Sequence, residues 1–250
     1  MPEELYIIGN EAFYGCEVLN NIDIPKVKEI GDGAFKKCTA LSNIQMEDVT
    51  KIGSSAFEDC KSLSAVTLKN INKIGINAFE GCTALTQVTL EGPLSELSND
   101  VFKECTSLAS ITIPNSVKSF GNEVFYDCKN LTAITLPDGL TKIDAHAFEG
   151  CATLKEIVIP NMVKTIGTSA FENCSSLDSV VINGLITEIS NDLFRRCHSL
   201  RSITIPNTVR KIGLKAFQEC TMLTEVTLPP ALTSIGEDAF AKCSSLASVN

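Results

Sequence analysis

Apolar residues return along this chain in one fixed order, spelled Ile-Gly-x-x-Ala-Phe-x-x-Cys-x-x-Leu-x-x-Val-x-Ile when read from Ile166. A polar stretch follows Ile182, and the next copy opens at Ile189. The cysteines set the beat: Cys16, Cys38, Cys60 and Cys82 lie 22 apart, and Cys105, Cys128, Cys151, Cys174, Cys197, Cys220 and Cys243 follow at steps of 23. Within each copy, Leu-x-x-Val-x-Ile alternates as a short strand with one buried face. Leucine holds its first position from Leu19 to Leu246. Proline closes six of these strands, at Pro25, Pro114, Pro137, Pro160, Pro206 and Pro229, because it cannot donate a further ladder bond. The other half of the copy predicts a short helical turn. Phenylalanine and cysteine stand three positions apart there, which places them on one helical face.

The residue after the opening apolar one is Gly in eight copies, Ser at Ser98 and Ser190, and Asp at Asp144. All three types cap helix N-termini well. A position that required positive φ would resist serine, so the cap reading is preferred. Phenylalanine follows in every copy, from Phe13 to Phe240, and predicts a buried column. A period of 22–23 residues with Leu and Ile at fixed offsets marks a leucine-rich-repeat solenoid. The expected fold class is therefore an α/β repeat solenoid: a right-handed superhelix, a parallel sheet on the concave side, and short helical turns opposite. Residues 1–250 read as one array of about eleven repeats, without polar caps, and so as an excerpt of a longer array.

Leucine-rich repeats usually dock partners on the concave sheet. The outward strand column here reads Thr67, Thr89, Thr112, Thr135, Val158, Val181, Thr204 and Thr227. Threonine suits strands by propensity alone, so the column reads either as plain strand chemistry or as a broad docking surface. A second departure is basic: the four arginines, Arg195, Arg196, Arg201 and Arg210, fall close together, with His198 among them and Lys211 beside the last. They read either as drift on a solvated flank or as a patch for an anionic partner.

Composition mostly excludes. A net charge of −9 argues against nucleic acid or anionic membranes as partners. No apolar stretch approaches the roughly 20 residues of a membrane-spanning helix. Eleven cysteines at one offset have parallel Cβ vectors, which suits buried reduced thiols better than disulfides or a tetrahedral metal site. Two histidines in separate repeats, and no nucleophile or phosphate-loop motif, give no catalytic constellation, no metal site and no cofactor.

The spelling Ile-Gly-x-x-Ala-Phe-x-x-Cys-x-x-Leu-x-x-Ile-x-Ile-Pro resembles the BspA-type leucine-rich-repeat family along essentially the whole chain. Val101, Val124 and Leu193 depart from its alanine, and Met46 takes a strand position. The resemblance implies recognition or adhesion toward a protein or other macromolecule, at a cell surface or after secretion, with no shared catalytic residues. The reduced thiols and the absence of a signal peptide in this chain leave an intracellular interaction scaffold as the alternative. Open repeat ends would also allow end-to-end self-association.

Overall fold

The computed structural model describes residues 4–250, and each copy of the motif forms one coil of a solenoid. Two columns of parallel strands run along it. The first is the expected one: strands such as Ala65–Leu68, Gln87–Leu90, Glu156–Ile159 and Ser179–Ile182 alternate outward and inward side chains. Val66, Leu68, Val88 and Leu90 point into a continuous core, and partners sit one copy apart, as in Thr67↔Thr89 and Val158↔Val181. The second column is not legible in the motif. It consists of two-residue strands at the opening of each coil, such as Lys51–Ile52 and Lys73–Ile74, paired in parallel.

The turn side corrects the sequence reading, because none of the described residues forms a helix. In the coil from Ile52, Ser55 and Asp59 have φ values of 53° and 60°. A left-handed residue at these points interrupts any right-handed helical run. The amides alternate between two destinations. Glu58 and Cys60 donate to carbonyls three residues back, at Ser55 and Phe57, while Ser55, Phe57 and Asp59 donate to Ile76, Ala78 and Glu80 of the next coil. Coil spacing explains the choice. Successive phenylalanine rings stack 5.1–5.8 Å apart, whereas an α-helix is about 10–12 Å across. Helices cannot repeat at that pitch, so the segment folds into tight turns that bond along the stack.

The same spacing corrects the cap reading. All eight of these glycines have ordinary φ, but a Cβ built on Gly75 would lie 2.4 Å from the backbone nitrogen of Ser54 in the preceding coil. Glycine is there for close approach. Its amide donates to the preceding coil, as from Gly75 to the Ile52 carbonyl at 2.9 Å. Where serine replaces it, the strand ladder breaks. Ser98 donates through its hydroxyl to the Ile74 carbonyl at 2.8 Å, and Ser190 does the same to Ile166. The second sheet divides at these two serines, between Lys73–Ile74 and Glu96–Leu97 and between Thr165–Ile166 and Glu188–Ile189.

Eleven phenylalanines form the predicted column, stacked nearly parallel from Phe13 to Phe240. The cysteines run beside it as free thiols, nine of them buried; Cys16 is exposed and Cys243 half-buried in the outermost coils, so the expectation holds inside the array. Ten of them donate their S–H to the phenylalanine carbonyl of the preceding coil, for example Cys128 to Phe102 at 3.2 Å. Cysteine is thus a small core residue whose thiol adds a second donor to a carbonyl that already accepts an amide within its own turn, as Phe102 does from Cys105. Burial pushes the Cys38 thiol up to about 11, and drives those of Cys82, Cys105 and Cys151 well above the ordinary range.

Candidate binding face

Strand alternation decides what the array presents to solvent. With Ile111 and Val226 turned inward, Thr112 and Thr227 must turn outward. The structure brings Thr67, Thr89, Thr112, Thr135, Val158, Val181, Thr204 and Thr227 onto one face, exposed except for the half-buried Thr89.

This face is divided where an unbroken sheet was expected. Its strands pair in groups of two, three, two and three. Around repeat six, residues 131–137 form no strand, and the backbone amides of Ala133, Ile134, Thr135 and Leu136 make no backbone hydrogen bond to either neighbouring coil. Between Ser179–Ile182 and Ser202–Thr204 the ladder is also interrupted. The pair Glu156–Ile159 and Ser179–Ile182 is therefore a two-stranded island. On one side a cleft of about 690 Å³ is lined by Ile134, Leu136, Val158, Pro160 and Met162 together with Asp138 and Glu156. On the other, a cleft of about 400 Å³ runs past Asp178, Val181, Asn183 and Pro206.

The arginine group is dispersed by the fold. Arg195 and Arg196 lie on the turn side and are taken up by neighbouring carboxylates. Arg195 pairs with Glu172 at 3.1 Å and Asp192 at 3.7 Å, and Arg196 with Glu219 at 3.3 Å. His198 is exposed beyond Cys197, and Arg201 stands exposed where its strand begins. Arg210 and Lys211 are exposed at the short second strand Lys211–Ile212. None of these last four makes an ion pair among the described residues.

Other chemistry on the turn side is a set of half-buried ion pairs, Lys36 with Glu58 at 2.7 Å and Lys103 with Glu123 and Asp100, beside a hydrogen bond between His146 and Glu149. Burial raises the carboxyl pKa of Glu80, Asp100 and Glu149 above the ordinary value. Among the described residues no group of three or more His, Cys, Asp or Glu could hold a metal ion, and no helix is long and apolar enough to cross a membrane.

Comparison with known proteins agrees with this architecture. A leucine-rich cell surface protein of Faecalibacterium prausnitzii is 28% identical, with 98% of this chain and 82% of that one covered and a TM-score of 0.53. A leucine-rich-repeat protein of Bacteroides ovatus is 26% identical over 98% of this chain and 82% of its own, with a TM-score of 0.59. A third, from Eubacterium ventriosum, shares the fold at 24% identity and a TM-score of 0.60, over 100% of this chain and 77% of that one. Curated proteins give no significant match. The family model described as the BspA-type leucine-rich-repeat region matches residues 1–109, 50–178, 95–222 and 141–250, which together span every coil described above. The chain belongs to the BspA-type leucine-rich-repeat family.

Proposed function

We propose that the array is a non-enzymatic recognition module that docks a protein through the strand face, at a cell surface or in a secreted protein. The observation that carries this reading is the outward strand column. It offers one exposed, mostly small polar side chain per coil over a span of several coils, so an extended partner can make many shallow contacts. The turn side offers less, because its charges are largely committed to one another. The surface assignment rests on family membership and on the relative described as a cell surface protein. In the same reading, Arg201, Arg210 and Lys211 stand ready for acidic groups at a partner's edge, while Arg195 and Arg196 serve mainly the array itself.

The test is photo-crosslinking from defined positions. A photoreactive side chain is placed at Thr67, Thr112 or Thr204 on the strand face, and at Glu104, Lys129 or Lys242 on the turn side. Each variant is exposed to intact cells of neighbouring species, and the adducts are compared. Adducts formed chiefly from the strand face support the proposal. Adducts confined to the turn side would overturn it.

A further inference from the structure

Two columns break their own rule in the same two coils, and the departures meet. In the outward strand column threonine gives way to Val158 and Val181. In the turn after the strand, the position held by Ser116, Gly139, Thr208 and Ala231 becomes Met162 and Leu185. All four large apolar side chains are exposed: Val158 52%, Met162 51%, Val181 44% and Leu185 59%. The strands that carry them form the two-stranded island, so the apolar group sits where the ladder is interrupted on both sides. Both lateral edges of the island, and the chain of repeat six opposite, present backbone groups without ladder partners.

We propose that this island and the cleft beside it are a docking groove for an extended peptide segment that alternates apolar side chains with lysine or arginine. The inference deepens the strand-face reading and rests on it. Two features choose the occupant. Val158, Met162, Ile134, Leu136 and Pro160 give apolar side chains a lined cleft of about 690 Å³. Asp138 and Glu156 line the same cleft, and neither makes an ion pair among the described residues, so a basic side chain finds two carboxylates free. The same carboxylates repel nucleic acid and acidic peptides. A sugar would lack the aromatic ring it stacks on, since none lines the cleft.

The probe is a fluorescein-labelled peptide, acetyl-Ser-Leu-Lys-Leu-Lys-Leu-Ser-amide, read by anisotropy against the whole chain. Its counterpart carries glutamate in place of lysine. The lysine peptide should bind at least about tenfold more tightly than the glutamate peptide. Restoring the column residues with Val158→Thr, Met162→Ser, Val181→Thr and Leu185→Thr together should weaken binding by about tenfold or more, with the melting curve unchanged. Asp138→Asn with Glu156→Gln should weaken the lysine peptide and flatten its salt dependence, while Glu104→Gln on the turn side leaves it unaltered. Equal binding of the two peptides, or indifference to the fourfold variant, would overturn the groove. Crosslinking of a photoreactive form of the peptide separates the two levels. Adducts at Thr67 or Thr89 would sink this groove and leave strand-face docking standing, whereas adducts confined to the turn side would sink both. Concentration-dependent dimerisation abolished by the fourfold variant would give the groove to a second copy of the chain and refute the peptide assignment.

Discussion

Replacement of Phe148 by alanine tests how the array is held together. Its ring is fully buried and stacks at 5.2 Å on both Phe125 and Phe171, with Phe120 tilted against it at 6.1 Å. Truncating a buried phenylalanine removes its burial and leaves a cavity, at a cost of about 3–5 kcal/mol. Two flush ring contacts, each worth about 0.5–1.5 kcal/mol beyond area, place this site at the upper end. Leucine keeps most of the apolar volume and should cost about 2 kcal/mol. The more telling outcome is where the loss falls. Coils touch only their neighbours, so a lesion at one coil weakens the two interfaces it shares. Urea unfolding followed by circular dichroism should split into two transitions. Hydrogen exchange should quicken first in the coils carrying Phe125, Phe148 and Phe171, before it reaches those of Phe57 and Phe217. A loss under about 1 kcal/mol, or faster exchange spread evenly over the chain, would refute the stacked-column account.

Three further outcomes follow from the packing. With iodoacetamide near neutral pH, Cys16 should alkylate first and Cys38 far more slowly, since its thiol is pushed up to about 11 and only the thiolate reacts; full modification in the native state would contradict the buried column. Gly75→Ala should destabilise by about 1–3 kcal/mol, because its Cβ would meet the Ser54 backbone at 2.4 Å, and a neutral result by thermal melting would show that the coils can part. The raised carboxyl pKa of Glu149 means that the folded state holds this proton more tightly than the unfolded one, so its ionisation costs stability as pH rises. Glu149→Gln should therefore melt higher than the unsubstituted chain at about pH 7, and the difference should shrink towards about pH 5; a difference that grows on acidification would reverse the assignment.

The repeat length, the buried phenylalanine and leucine columns, the strand side and the outward threonines were all legible in the chain itself. Each depends on residue type at a fixed offset, and a solenoid converts a fixed offset into a straight column. Val158 and Val181 were visible as departures for the same reason. Met162 and Leu185 could have been found by aligning the turn positions across repeats, where Ser116, Gly139, Thr208 and Ala231 set the rule. What local spacing could not supply was the destination of the backbone amides. Phenylalanine and cysteine three positions apart fit a helical turn as well as consecutive tight turns, and only the coil pitch excludes the helix. The pitch also made glycine a matter of approach between coils, turned Ser98 and Ser190 into sheet breaks, and tied Arg195 and Arg196 to acids one coil away. Above all, the openings on either side of the Glu156–Ile159 and Ser179–Ile182 pair exist only in three dimensions. Repeat six keeps the strand spelling yet joins no ladder, and a ladder is a relation between coils that no single repeat's spelling specifies.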